Sequence, residues 1–149
     1  MSSSETDAFL GRQETGVLSL ARADEPYAVP ISYGYDASDR RFYLRLVSTP
    51  ESEKRRFLAS SPEARIVVYE EDHESDPGTV YRSVVATGSL EEIEPEALTV
   101  ERIEQYGAAK RPLFEIWGRD KQDLDINLYE LEPNNLSGRR TVVDRDSAE

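Results

Sequence analysis

Within the stretch VSTPESEKRRFLASSP, residues 47–62, a hydroxyl at Ser52 and an ammonium at Lys54 stand beside an expected helix start. Thr49 is a suitable N-cap and Pro50 a first-turn proline. Free backbone N–H groups and the positive end of the helix dipole would then face the same space. Hydroxyl, ammonium and helix end together suit one phosphate. Arg55 and Arg56 point round the helix and need not join them. The same residues also make sense as a solvated face that pairs with Glu51 and Glu53, with no ligand at all.

Two further clusters bear on the choice. In YRSVVATG, residues 81–88, Arg82 and Ser83 interrupt an apolar strand, where polar side chains need partners. Alternation sends them to opposite faces, so at most one faces a core unless a bulge intervenes. In YAVPISYGYD, residues 27–36, Pro30 cannot donate to a ladder, which makes this strand an edge or a bulged one. An edge with free backbone groups can hydrogen-bond a flat heterocycle. Tyr33 and Tyr35 share one face, as core or as the wall of a ligand site.

Other chemistry has little to build on. His73 is the only histidine and sits in an acidic turn, EDHESD, which lacks an EF-hand pattern. There is no cysteine, which excludes disulfides, thiolate metal sites and cysteine nucleophiles and makes a cytoplasmic location the default. Neither a phosphate-binding P-loop nor a GxGxxG turn is present. Trp117 reads by default as a core anchor, with an interface anchor and a stacking partner as the other readings. Thirty acidic residues oppose eighteen basic ones, for a net charge of −12, the balance of a salt-adapted, halophilic protein or of an ordinary acidic domain, and in either case a poor surface for nucleic acid. No segment is long and apolar enough for a membrane span, and the polar start is not that of a signal peptide.

The elements that must position these groups follow from local pattern. A capped helix is expected over residues 4–13, then three β-rich runs within 16–48 broken at the turn formers ADEP and DASD. A helix follows through Phe57 and Leu58. Strands are expected at 64–71 and 79–94, the second kinked at Gly88. Helices are expected at 95–109, with Val100, Ile103 and Tyr106 along one side, and at 111–120. A last strand is read over 123–133 and a frayed tail over about 141–149. The whole chain, 1–149, reads as one mainly β domain with a few helices, its six antiparallel strands closing into a small barrel.

The order and spacing of VPISYGYD, of RFYLRLVS leading into PESEK, and of YRSVVATG resemble the FMN-binding split barrels, the pyridoxamine 5′-phosphate oxidase-like and nitroimidazole-reductase-like flavoproteins. That resemblance implies FMN in a groove of a homodimer, an oxidoreductase activity on a small-molecule substrate, and a reduced electron donor, nicotinamide or deazaflavin. By position it implies phosphate contacts from Ser52 and Lys54, phosphate and ribityl contacts from Val47 and Ser48, ring contacts from Ile31, Ser32 and Tyr33, and a further contact pair at Arg82 and Ser83. No side chain is assigned a catalytic role and no metal is implied. Ala28, Tyr33 and Ser83 stand where the oxidases themselves carry Arg, Lys and Gln. The alternative reading is a non-catalytic barrel that stores or senses FMN, haem or a deazaflavin.

Overall fold

Alternation along the strands decides which side chains meet. In Arg41–Ser48 (β3), Phe42, Leu44 and Leu46 are all but completely buried, while Arg41 and Arg45 on the other face keep part of their surface in solvent. The same period puts Leu18 and Leu20 of Thr15–Arg22 (β1), Ile31 and Tyr33 of Glu25–Asp36 (β2), and Ile66 and Val68 of Glu63–Asp72 (β4) into one core. Val84 and Ala86 of Gly78–Ile93 (β5) and Tyr129 and Leu131 of Asp125–Asp144 (β6) complete it. This computed structural model describes residues 1–48, 53–60, 63–74, 78–108 and 125–144.

All pairings are antiparallel, and the six strands close into a barrel in the order β1-β2-β3-β6-β5-β4, with β4 returning to β1. Closure leaves two open ends, and a helix covers each. Ser3–Arg12 (α1) begins with a capping box between Ser2 and Glu5 and buries Phe9 and Leu10 against one end. Glu53–Ser60 (α2) covers the other through Phe57, whose ring stacks on Tyr27 of β2 at 5.1 Å. Val100–Ala108 (α3) lies outside the ring against β2 and β3, its Tyr106 edge-on to Tyr43.

Several expectations meet their test here. The kink at Gly88 is a β-bulge: Thr87 pairs with Asn135 and Gly88 with Pro133, so Asn134 is passed over. A Cβ on Gly88 would stand 2.3 Å from the Glu132 carbonyl oxygen, which is why glycine is required there. The tail expected to fray from residue 141 is instead laddered to β5 through Asp144, opposite Gly78. The single helix expected over 95–109 divides into a 3-10 turn, Pro95–Ala97, and α3, because the Thr99 hydroxyl accepts from Arg102 N–H and starts a new helix. Nor do Val100, Ile103 and Tyr106 share a buried side. At about 100° per residue, the face that buries Tyr106 and carries Arg102 turns Val100 and Ile103 outward, 73% and 56% exposed. The helix expected at 111–120, with Trp117, lies outside the described residues.

Candidate functional site

The barrel is split between β2 and β3. Their ladder runs only from Tyr33–Asp36 to Arg41–Leu44. Residues 25–32 pair with β1 on one side and residues 45–48 with β6, and no ladder joins the two stretches across the gap. α2 begins with only residues 49–52 between it and the end of β3, so its N-terminus opens at the mouth of this gap.

The edge that β2 presents there can be read from its hydrogen bonds. Tyr33 N–H donates to the Glu14 carbonyl oxygen at 3.1 Å, on the β1 side. Successive residues of a strand turn their backbone groups to opposite sides, and the β1–β2 register is unbroken from Glu25 to Ser32. The even-numbered residues therefore face the split. Pro26 and Pro30 offer carbonyls alone, Ala28 offers both N–H and C=O, and Ser32, at the last rung of the β2–β3 ladder, offers its N–H. Proline is tolerated at 26 and 30 because the amide it lacks would have had no ladder partner. The edge strand read from Pro30 is thus present, and among the described residues no strand ladders to residues 25–31 on this side.

The residues expected to line the site divide into groups. Ser32 lies on the outer face of β2 and is buried, at the corner of the split. Val47 and Ser48 form the free end of β3, and Lys54 lies in the first turn of α2. Ser52 falls outside the described residues. Ile31 and Tyr33 point the other way, into the core at 2% exposure each. The Tyr33 hydroxyl donates to the Leu10 carbonyl oxygen at 2.8 Å, and burial, reinforced by neighbouring Tyr35, raises its pKa. Tyr35 likewise donates to Asp7 at 2.6 Å, and burial followed by that bond raises its pKa too. Both tyrosines tie α1 to the barrel through their hydroxyls.

Arg82 and Ser83 do not join the others within one chain. They sit on β5, two strands from β3 on one way round the ring. Arg82 turns inward beneath α1, where its guanidinium meets Glu70 at 3.2 Å and Asp72 at 3.6 Å. Ser83 faces outward, as strict alternation requires. Its face also carries Tyr69 and Tyr81, 67% and 39% exposed, and a groove of about 420 Å³ lined by Thr15, Gly16, Val17, Pro30 and Tyr69. Sequence reasoning passed over Tyr69, and only its register opposite Ser83 reveals where it faces. His73 lies past the end of β4, with its imidazole against Thr79 and Glu71. No cluster of metal-ligating side chains occurs among the described residues, and no helix there is long and apolar enough to cross a membrane.

A family model described as pyridoxamine 5′-phosphate oxidase matches residues 2–140. No curated protein matches the sequence. Among solved structures, an FAD-binding protein of Mesorhizobium loti is similar with a TM-score of 0.72 at 22% identity, over 95% of this chain and 96% of that one. A proposed 5-nitroimidazole antibiotic resistance protein of Bacteroides thetaiotaomicron gives 0.64 at 16%, over 93% and 84%. A haem-binding protein of Mycobacterium smegmatis gives 0.60 at 20%, over 95% of this chain and 58% of that one. At these identities the likeness speaks to the fold.

Proposed function

Since this chain belongs to the pyridoxamine 5′-phosphate oxidase family, a flavin-binding fold family, we propose that it binds FMN in the split between β2 and β3 and works as an oxidoreductase on a small molecule. The observation that carries this reading is the pair of open strand edges, with α2 beginning at their mouth. Carbonyls of Ala28 and Pro30 would accept from an N–H on the edge of a flat ring, and the Ala28 and Ser32 amides would donate to its oxygens. The phosphate would lie at the start of α2, held by Ser52, by the Lys54 ammonium and by backbone N–H groups. When bound, FMN would supply the electron chemistry, with a reduced nicotinamide or deazaflavin as the donor. The protein binds it, orients it and shields it from water.

A second copy of the chain belongs to the proposal. Ser83, Tyr69 and Tyr81 share an outer face on β4 and β5, across β1 from the split of its own chain, and pairing two chains would bring such a face toward the partner's split. The true oxidase reaction is not proposed, because Ala28 and Tyr33 replace its Arg and Lys. A storage or sensing barrel for haem has less to rest on: the one histidine lies outside the split, at the β4–β5 turn.

The test is an absorbance spectrum of the purified protein after excess FMN has been added and the free flavin removed. One flavin per chain, bleached by a reduced nicotinamide or deazaflavin and restored by an acceptor, supports the proposal. A folded protein that retains no flavin overturns it. Lys54→Ala is expected to weaken FMN about ten- to a hundredfold in a fluorescence-quench titration, matching a charge-assisted contact of about 1.5–3 kcal/mol. Unchanged affinity would remove Lys54 from the site.

A further inference from the structure

Beneath α3, away from the split, lies a polar cluster that the cofactor site does not use. Glu130 of β6 is only 4% exposed although it sits on the outer face of the barrel. Arg41 of β3 donates to its Oε2 at 3.4 Å, and Arg102 of α3 brings Nε to 3.1 Å from its Oε1. Tyr106, also 4% exposed, packs against Tyr43, which is paired with Glu130 across the β3–β6 ladder. Within this cluster three buried polar atoms have no hydrogen-bond partner among the described residues: Tyr106 Oη, Glu130 Oε1 and Arg41 Nε. The Arg102 contact is therefore a meeting of charges, with its N–H not aimed at the oxygen.

Native proteins very seldom leave three such atoms unpaired in one place, and bound water is the usual resolution. The chemistry selects the guest. Arg41 Nε can only donate, Glu130 Oε1 only accepts, and the tyrosine hydroxyl does either. A cation would face two guanidinium groups and an anion would face the carboxylate. We propose that Tyr106, Glu130 and Arg41 enclose one ordered water molecule that joins α3 to the barrel. The water accepts from Arg41, donates to Glu130 and exchanges a hydrogen bond with Tyr106. Burial raises the pKa of both Tyr106 and Glu130, as expected of groups cut off from bulk solvent. Because α3 rests on β2 and β3, this water belongs to the outer support of the two strands that part to form the split.

The experiment pairs a room-temperature crystal structure of the full chain with the Tyr106→Phe variant, and neither readout involves flavin. Density for one water within about 3 Å of all three atoms is expected. Tyr106→Phe is expected to lower the thermal midpoint by about 2–4 °C, because it removes one partner of that water. A dry site gives the opposite sign, since the substitution then deletes an unpaired buried hydroxyl and raises the midpoint. A raised midpoint overturns the proposal, as does density in which the three atoms bond one another or a side chain fills the space. Should the variant not fold, the wild-type density decides alone.

Discussion

Replacing Tyr33 with Phe separates two roles for one residue. As a ring contact, its hydroxyl would matter to flavin; as the structure places it, the hydroxyl matters to α1. The last carbonyls of a helix have no partner within it. In α1 the Phe9 carbonyl accepts from Gln13 N–H at 3.2 Å, and the next one, on fully buried Leu10, accepts from the Tyr33 hydroxyl at 2.8 Å. Phenylalanine keeps the ring and its edge contact with Phe42 but strands that carbonyl away from water. The penalty for an unsatisfied buried acceptor is about 1–3 kcal/mol, or roughly 3–10 °C in thermal midpoint for a chain of this length. Thermal and urea denaturation of Tyr33→Phe beside wild type measure the loss, and an FMN titration of the folded variant is expected to give an unchanged Kd. An unchanged midpoint together with weakened FMN would refute the reasoning and return Tyr33 to the ligand site.

Gly88→Ala is expected to cost about 1–3 kcal/mol or more, because the new methyl meets the backbone of Glu132 and Pro133, which cannot swing aside; a denaturant midpoint within error of wild type would count against the bulge. Of the eight tyrosines, Tyr33, Tyr35, Tyr43 and Tyr106 have pKa values raised chiefly by burial. A phenol whose folded pKa lies above its unfolded value of about 10 contributes stability fully below that pH and loses it as pH rises toward the folded value. Ultraviolet titration is therefore expected to find these four ionising late and together with alkaline unfolding, and four early, reversible ionisations among them would contradict their burial.

Much of the barrel was legible because strand alternation is a local property. Phe42, Leu44 and Leu46 declare a buried face without reference to any other strand, and Pro30 declares an open edge. What a side chain touches after ring closure is not local. Tyr33 and Tyr35 read equally well as core or ligand wall until α1 folds over the barrel end and accepts their hydroxyls. Arg82 drew notice as a polar intruder, yet Glu70, which neutralises it, becomes its neighbour only through the β4–β5 register. The rotation of α3 escaped for the same reason. Its spacing marked Val100, Ile103 and Tyr106 as one side, but the Arg102–Glu130 contact and Tyr43 select which part of that side meets the sheet.

Pro26 and Pro30 have a bearing on how this protein keeps to itself. An unpaired strand edge ordinarily invites a second strand, and the invitation strengthens when salt screens the repulsion between chains of net charge −12. An incoming strand needs amides and carbonyls in alternation, and at every second outward position of this edge the amide is missing. The barrel can stay open along one seam without that seam becoming a nucleus for β-aggregation, because another backbone finds no continuous ladder to join there.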